Sequence, residues 1–347
     1  MSVTNNVKTM KAAVYKGPHH MAVEELPYPK PGYGEVTIRV HCCGICGTDY
    51  HILEGDFISP YPLVGGHEFS GTVFEVGEGV EDWKIGDRVA VDPSVYCGKC
   101  YHCRNNQFNH CKNWNAIGVT MNGAFAEYVK VPAKNLYKMR DTMTFEEGAL
   151  VEPMSCVAYA LERTNVKFGD KVVIFGGGPM GIMLVQAMRI SGASEVVLVD
   201  IAEQKLELAK QFGATSVFKN DNRLDSFIGK EKYPNGFDVV VDATGIPAVI
   251  EGMFRFAGPG ARILQFGVAP NNAKITISPF DIYHKDWNYL GTMALKFNFN
   301  QALFMIEEKR VNVGSLVTKK LGLEEFVTYM SKPKSPDDCK VLVYPSW

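Results

Sequence analysis

The sequence contains no long hydrophobic run and no block of like charge, and these absences exclude several classes of protein. No segment approaches the roughly 20 consecutive apolar residues of a membrane-spanning helix. The opening residues, MSVTNNVKTMKAAVYKG, lack the apolar centre of a secretory signal peptide. The formal net charge is only −2, and no basic stretch indicates a nucleic-acid tail. We therefore expect a cytoplasmic protein with neither a membrane nor a nucleic-acid partner.

The length and composition favour two folded domains. A chain of 347 residues is too long for one ordinary hydrophobic core. Up to about Pro153 the chain is rich in glycine and proline, and it lacks internal repeats and low-complexity stretches. Short runs of alternating apolar residues lie between the turn residues, at 35–40, 71–76 and 88–91. This pattern predicts a mostly antiparallel β domain.

The pattern changes after Pro153, where strand-like and helix-like segments alternate. The predicted strands are Lys171–Phe175, Glu195–Val199, Phe237–Asp242 and Ala261–Phe266. The predicted helices are Ile182–Ile190, Ala202–Phe212 and a segment near Val249. Such alternation predicts an α/β fold with a doubly wound parallel sheet. The tail Val341–Tyr344 reads as one more strand, which we expect to return to the first domain.

Nine cysteines, an odd number, do not suggest a disulfide framework, but four of them form a motif. These are Cys97, Cys100, Cys103 and Cys111. Successive C-x-x-C steps bring sulfurs together, and four thiolates suit a closed, structural zinc site. Two disulfides, or thiols close by chance, are the alternatives. Zinc is favoured because thiols of cytosolic proteins more often hold metal than pair with each other.

A glycine-rich turn follows the strand Lys171–Phe175 and matches G-x-G-x-x-G. Its members are Gly176, Gly178, Pro179, Met180 and Gly181. In this strand–turn–helix context the glycines permit a tight turn and close approach of a pyrophosphate. The first amide groups of the following helix attract its negative charge. The motif therefore predicts dinucleotide binding.

Asp200 ends the next strand, nineteen residues after Gly181. A carboxylate there accepts hydrogen bonds from the ribose hydroxyls and repels a 2′-phosphate, which favours NAD over NADP. Asp200 could instead cap the helix that begins near Ala202, or serve both roles. Lys205, one turn into that helix, could also reach the ribose or could simply be solvated.

A second, open metal site is indicated by Cys46, His67, Glu68 and Glu152. One thiolate, one imidazole and two carboxylates form a mixed soft and hard donor set. Such a set suits a catalytic zinc that keeps a position for water or substrate. Taken singly, each residue has an ordinary explanation as a buried thiol, a core histidine or a surface charge. Their coincidence beside a dinucleotide motif favours the catalytic one.

With these motifs the chain resembles the zinc-dependent medium-chain alcohol and polyol dehydrogenases, in particular the sorbitol-dehydrogenase-like branch. The resemblance rests on Gly44–His51 (GICGTDYH), on GHEFSG from Gly66, on the four cysteines and on the glycine turn. It implies a GroES-like, mostly β catalytic domain at 1–153 and 293–347. It also implies a Rossmann NAD-binding domain at 154–292.

The resemblance also implies ligand roles at the open site. Cys46 and His67 bind the catalytic zinc, and Asp49 orients His67. Glu152 stands where other alcohol dehydrogenases have a second cysteine. Glu68 corresponds to a movable carboxylate that binds the metal directly or through water, so either glutamate can be the inner ligand.

Two residues of the same segment take part in proton transfer, according to the resemblance. Thr48 hydrogen-bonds the substrate oxygen, and His51 passes the proton to water. Zinc acts as a Lewis acid, and hydride goes to NAD⁺. We thus expect two zinc ions per subunit, one catalytic and one structural, with NAD as cofactor.

The expected reaction is oxidation of a secondary alcohol of a polyol to a ketose. L-Threonine and 2,3-butanediol are alternative substrates on the same scaffold, and a non-catalytic NAD-binding or redox-sensing protein is a remote third hypothesis. The sorbitol branch has an arginine near 291–296 that this chain lacks. Lys296 could instead hold a hydroxyl or a phosphate, or be solvated. Relatives form dimers and tetramers, so we expect a homodimer or homotetramer.

Overall fold

The strands form one mainly antiparallel set and one parallel sheet. A computed structural model describes residues 8–221, 224–225, 228, 232–333, 335 and 337–346. The contacts divide the chain into two units. The first unit comprises the chain to Pro153, Ala302–Glu307 and the chain from Val313; the second comprises Met154–Gln301 and Glu308–Asn312. The boundary predicted at residue 293 therefore differs, because 293–301 and 308–312 group with the second unit.

The first unit is built mostly from short strands. They are β1 (Thr9–Gly17), β2 (His20–Pro27), β3 (Glu35–Gly44), β4 (Leu63–Val64), β5 (Glu68–Val76), β6 (Arg88–Val91), β7 (Ser94–Val95), β8 (Asn115–Ala116), β9 (Tyr128–Pro132), β10 (Leu136–Lys138), β17 (Val317–Leu321) and β18 (Lys340–Val343). Its helices are α1 (Gly47–Glu54), α2 (Tyr101–Arg104), α3 (Phe145–Ala149) and α10 (Leu323–Met330), with 3₁₀ turns at Phe108–His110, Ala133–Asn135 and Gly314–Leu316. Helices α4 (Val151–Thr164) and α9 (Phe299–Glu307) contain residues of both units.

The pairing of three strands fixes the position of the candidate site. A seven-stranded sheet has the order β10-β6-β5-β3-β18-β17, with β9 paired to β3. The end of β3 lies between two partners, because Gly44 is opposite Glu68 of β5 and opposite Leu342 of β18. The first residue of β5 and the third residue of β18 thus lie on either side of the last residue of β3. Smaller sheets have the orders β2-β1-β4 and β7-β8.

Apolar alternation explains the core of the first unit. In β3 the side chains of Val36, Ile38 and Val40 are buried, whereas Arg39 between them is exposed. These residues join one hydrophobic cluster with buried residues of β1 and β5, such as Tyr15 and Phe69. Burial of this apolar face stabilises the sheet at roughly 25 cal/mol per Å² of apolar surface.

The second unit is a six-stranded parallel sheet with helices between its strands. In chain order the elements are β11 (Lys171–Phe175), α5 (Pro179–Ile190), β12 (Glu195–Asp200), α6 (Glu203–Gln211), β13 (Ser216–Lys219), β14 (Phe237–Asp242), α7 (Pro247–Met253), β15 (Ala257–Gln265), α8 (Pro279–His284) and β16 (Asn288–Gly291), with a 3₁₀ turn at Phe254–Phe256. The strand order is β13-β12-β11-β14-β15-β16. The predicted doubly wound α/β class is confirmed, and the carboxyl ends of β11 and β12 lie side by side at one sheet edge.

Candidate active site

Cys46 lies between the end of β3 and the start of α1, and its place at the helix start fixes its position. It is the N-cap residue of α1, with extended backbone (φ −104°, ψ 164°). Asp49 Oδ2 accepts a hydrogen bond from the Cys46 backbone N–H at 2.7 Å. Asp49 is fully buried and burial raises the pKa of its carboxyl to about 6. The predicted neighbour of His67 therefore also holds the Cys46 backbone in place.

A glycine turn before β5 positions His67 and Glu68 close to Cys46. Gly66 has φ +90°, and a Cβ atom there would lie 2.8 Å from both Cys43 Sγ and the Phe125 backbone N. Any other residue would be strained and would clash, so the turn requires glycine. His67 and Glu68 follow directly and are 6% and 1% exposed.

The site brings together one ligand atom each of Cys46, His67 and Glu68, which all lie within 4.8 Å of one another. His67 Nδ1 faces Asp49 Oδ1 at 4.0 Å, which leaves Nε2 for a ligand. Burial lowers the pKa of His67, but the nearby Cys46 sulfur and the carboxylates raise it well above its usual range. A half-buried sulfur beside a buried imidazole and a buried carboxylate attracts a cation strongly, so the donor set fits zinc.

Glu152 lies near this group but is not part of it. It sits in the first turn of α4 and is 7% exposed. Burial raises the pKa of its carboxyl to about 7, His67 lowers it and Glu68 raises it. These couplings place Glu152 close to His67 and Glu68, although the set of ligand atoms within 4.8 Å contains only the other three residues.

Lys340, which sequence reasoning did not identify, is buried against Glu68. It is the first residue of β18 and 2% exposed, and its Nζ forms an ion pair with Glu68 Oε2. The ammonium also donates to the Ile45 backbone carbonyl at 3.1 Å. Burial lowers the pKa of Lys340, but Glu68 raises it and the net direction is upward. No local signal marks this lysine, because only the pairing of β18 with β3 brings it here.

Thr48 and His51 occupy the first turns of α1. Cys46 Sγ lies 3.7 Å from Thr48 Oγ1, so this hydroxyl is beside the donor set. His51 is partly exposed, and its Nδ1 lies 3.1 Å from Asp56 Oδ1. Asp56 was not predicted; it can hold the ring of His51 in one orientation while the other nitrogen remains available.

The four-cysteine lobe (residues 97–111) brings its sulfurs together as the spacing predicted. Ligand atoms of Cys97, Cys100, Cys103 and Cys111 lie within 4.8 Å of one another. Cys111 Sγ is 3.5 Å from Cys97 Sγ and 3.9 Å from Cys100 Sγ, and all nine cysteines lie among the described residues without a disulfide. Backbone N–H groups lower the pKa of Cys100 to about 6, which favours the thiolate. Four convergent thiols without bonds between them fit a closed zinc site better than two disulfides.

The glycine turn of the second unit forms a cradle at the start of α5. A Cβ atom on Gly181 would lie 1.8 Å from the Gly176 carbonyl oxygen, so only glycine permits this packing. Gly178 is the N-cap residue, with no side-chain cap and open space where its Cβ would be. Pro179 and Met180 begin the helix, three residues before the predicted start at Ile182. Uncapped amide groups facing open space suit a pyrophosphate.

Asp200 contacts this turn directly. Its Oδ2 accepts from the Gly177 backbone N–H at 2.6 Å, and its Oδ1 accepts from that of Ala202 at 2.9 Å. The N-cap residue of α6 is Ala202, so Asp200 supports the helix start from two residues before it rather than capping it. Lys205 lies beside the same turn, since a Cβ on Gly177 would be 3.0 Å from Lys205 Cβ. The predicted cofactor residues thus gather at one edge of the parallel sheet.

The substrate residues considered from the sequence are less informative. Tyr50 and Phe57 pack against the core of the first unit. Lys296 belongs to the second unit, where its backbone N–H donates to Asn298 Oδ1 at 3.3 Å.

Within the described part of the chain, no helix is long and apolar enough to cross a membrane.

Comparison with known proteins adds two matching families and several full-length relatives. Residues 32–141 match the alcohol dehydrogenase GroES-like domain, and residues 179–308 match the zinc-binding dehydrogenase domain. D-arabinitol dehydrogenase 1 of Uromyces fabae is 35% identical over 341 residues, covering 97% of this chain and 97% of that protein. (R,R)-butanediol dehydrogenase of Bacillus subtilis is 32% identical, covering 97% of this chain and 100% of that protein.

A solved structure is similar over nearly the whole chain. The crystal structure of a protein described as a zinc-binding dehydrogenase of Sinorhizobium meliloti 1021, bound to NADP, has a TM-score of 0.95 at 33% sequence identity. The match covers 98% of this chain and 100% of that one. The similarity therefore includes both units.

Proposed function

The chain belongs to the zinc-binding alcohol dehydrogenases, and on that premise we propose that it oxidises a secondary alcohol of a polyol to the ketose with NAD⁺. The observation that carries the proposal is the group of half-buried Cys46 with buried His67 and Glu68, whose ligand atoms lie within 4.8 Å of one another. A protein that retained only the scaffold would have no need for such a costly set of buried polar groups.

Zinc bound by Cys46 and His67, with a glutamate, would supply Lewis acidity that lowers the pKa of an alcohol hydroxyl. The residues around it divide the remaining tasks. Thr48 Oγ1 would accept a hydrogen bond from the substrate hydroxyl, and His51 would release the proton to solvent. Asp49 would orient His67, and a neutral imidazole would thus keep its free nitrogen toward the metal.

The ion pair between Lys340 and Glu68 helps to decide which glutamate would bind the zinc directly. Its ammonium holds one oxygen of Glu68, so a full inner-sphere role for Glu68 requires this ion pair to loosen. Glu152 is buried as well, and both His67 and Glu68 affect the pKa of its carboxyl. We propose that Glu152 completes the resting ligand set and that Glu68 stays outside it, held by Lys340. One carboxylate fewer on the metal leaves it more acidic.

We propose NAD as the cofactor because Asp200 ends β12 beside the glycine turn, where the adenosine ribose would lie. A carboxylate there accepts from ribose hydroxyls and repels a 2′-phosphate. One of its oxygens accepts from Gly177 of the glycine turn, and the other accepts from Ala202 at the start of α6. The Sinorhizobium structure contains NADP, so comparing the two cofactors is part of the test.

The polyol class rests on the arabinitol-oxidising relative, and a vicinal diol is the second candidate because of the butanediol-oxidising one. The test is an NADH-absorbance assay of the zinc-loaded protein with pentitols and hexitols, their phosphates, (R,R)-2,3-butanediol and L-threonine. The highest kcat/KM with a polyol is expected. A clear preference for butanediol or threonine would replace the substrate class, and no turnover with any alcohol would overturn the enzyme proposal.

We propose a homo-oligomer that works in the cytoplasm. Strand β16 ends the parallel sheet and has no partner on its outer side among the described residues. Its Tyr289 and the nearby Phe280 and Tyr283 are exposed, and an apolar sheet edge is a common site for association with a second copy. No disulfide joins any of the nine cysteines, all of which the structure describes, and this fits a reducing compartment. Sedimentation of the zinc-loaded protein tests the assembly, and a monomer at micromolar concentration would contradict it.

A further inference from the structure

Three buried polar atoms in or beside the proposed metal site lack a hydrogen-bond partner among the described residues. They are Tyr15 Oη, Asp49 Oδ1 and His67 Nδ1. Tyr15 and Asp49 are fully buried and His67 is 6% exposed. A buried polar atom without a partner is costly, and such groups are commonly satisfied by a buried water with several polar neighbours.

The ring of Tyr15 packs against the turn that carries His67. Tyr15 of β1 is paired with Leu63 of β4, two residues before that turn begins. A Cβ on Gly65 would lie 2.5 Å from Tyr15 Cε2, so the ring touches the backbone there. The phenol ring therefore packs against Gly65, two residues before His67.

The electrostatic surroundings connect Tyr15 to Asp49. Burial raises the pKa of Tyr15 well above its usual range, and the Asp49 carboxylate is the charge that adds most to this rise. Asp49 uses Oδ2 for the Cys46 backbone, which leaves Oδ1, the oxygen that faces His67 Nδ1 at 4.0 Å, without a hydrogen-bond partner among the described residues. A phenol hydroxyl can donate to a carboxylate, whereas the carboxylate can only accept.

We propose that Tyr15 is a positioning residue for the metal centre: its hydroxyl donates, through one buried water, to Asp49 Oδ1, the carboxylate oxygen that faces His67 Nδ1 at 4.0 Å. The Tyr15 hydroxyl touches neither metal nor substrate. It restrains the carboxylate that sets the tautomer and ring orientation of His67. The inference rests on the proposed open zinc site.

The test compares Tyr15→Phe with Tyr233→Phe in the metal-loaded protein. Tyr233 is also buried, and its hydroxyl donates to Glu195 at 2.7 Å in the second unit, so it matches the loss of one buried tyrosine hydroxyl. Both sites are loaded with ¹¹³Cd, whose resonance separates a four-thiolate site from a mixed one. Retention of metal against a chelator is then measured for each site.

Tyr15→Phe is expected to weaken metal retention at the open site about 10-fold, the lower end of the range for partners outside the ligand shell, and to shift that resonance alone. Tyr233→Phe is expected to leave both resonances in place. Retention within about twofold of wild type, with an unshifted resonance, would overturn the inference. So would an equal effect of Tyr15→Phe on the four-cysteine site, because it would indicate general loosening.

A double variant separates positioning from packing. If Tyr15 acts through Asp49, adding Tyr15→Phe to Asp49→Asn produces little further loss of metal. A full additional 10-fold loss would show that the tyrosine acts by another route and would reject the inference. A wild-type protein that binds one cadmium ion instead of two would refute the proposed function itself, whereas two bound ions with an unaffected Tyr15→Phe would refute only this inference.

Discussion

The four-cysteine lobe and the open Cys46–His67–Glu68 site both bring ligand atoms within 4.8 Å, but they do so by different means. All four sulfurs of the lobe come from residues 97–111, so one short loop forms the site. The open site takes its groups from the ends of β3 and β5, from α1 and α4, and from β18 near the end of the chain. Local spacing is sufficient for the first site, whereas the second exists only in the folded sheet.

The two sites also differ in charge balance. The lobe contains sulfurs alone, with backbone N–H groups such as those of Cys97 and Asn113 donating to Cys111 Sγ at 3.4 and 3.3 Å. The open site contains buried carboxylates and a buried ammonium in addition to its thiol and imidazole. A metal held by four protein ligands has no position left for substrate, so it can only stabilise the loop around it. A metal with a position open to substrate can act as a Lewis acid in catalysis.

The largest effect is expected from Cys46→Ser. Loss of the thiolate should reduce turnover to the background rate, because no Lewis acid then stabilises the alkoxide. The lobe should keep its zinc, so the metal content should fall from two equivalents to one. Metal analysis and NADH assays measure both quantities. Near-normal activity with one remaining equivalent would reverse the assignment of the two sites.

Lys340→Met should cost about 3–5 kcal/mol of unfolding free energy in the zinc-loaded protein, since Glu68 is left as an uncompensated buried charge. The matched control is Lys319→Met. That lysine is 37% exposed and pairs with Asp338 at 2.8 Å, so roughly 0–1 kcal/mol is expected. Denaturant unfolding measures both. Equal small losses would mean that the open site does not depend on its buried ion pair.

Cys111→Ser should affect stability before chemistry. Loss of the structural metal should lower Tm by roughly 5–10 °C, because metal binding in such loops contributes folding free energy. The kcat of the protein that remains folded should stay within about threefold of wild type, since the lobe holds no reacting group. A thermal scan and an assay below the transition measure these quantities. Loss of turnover without loss of stability would contradict the structural role.

The metal-free protein should become less stable as the pH rises from about 4.5 to 7. The pKa of Glu152 is raised from 4.5 to about 7, so the folded state keeps a proton that the unfolded state loses. The decrease reaches about 3 kcal/mol at most, from about 1.4 kcal/mol per pH unit. Glu152→Gln should remove it, whereas Glu54→Gln, at an exposed position, should not. If the unfolding free energy of wild type and of Glu152→Gln changed equally with pH, Glu152 would not be the cause of the decrease.

Asp200→Ala should have the smallest effect and should leave both metal sites loaded. NAD affinity should fall about 10-fold through lost hydrogen bonds to the ribose, while NADP affinity changes less. Titrations with both cofactors, monitored by protein fluorescence, measure the difference. An equal loss for NAD and NADP would refute the ribose role and leave Asp200 as a support of the glycine turn.

Much of the second unit was predictable because its signals are local. The strands Lys171–Phe175 and Phe237–Asp242 have the predicted bounds, as buried apolar runs between turn residues define them. Helix α5 starts at Pro179 instead of Ile182 because Gly178 and Pro179 form the helix start themselves. In the first unit the hairpin of β1 and β2 was not predicted, since its strands depend on cross-strand partners rather than on a strong run of apolar residues.

The sequence by itself determined the four-cysteine lobe, the glycine turn and the α/β alternation, because each depends on contacts between residues close in the chain. It also determined which residue types were available for an open metal site. Only the tertiary structure decided that Lys340, 295 positions after Ile45, lies beside Glu68, and that Tyr15 packs against the turn that carries His67. Strand register makes those contacts, and register is set by the packing of whole sheets rather than by any short motif.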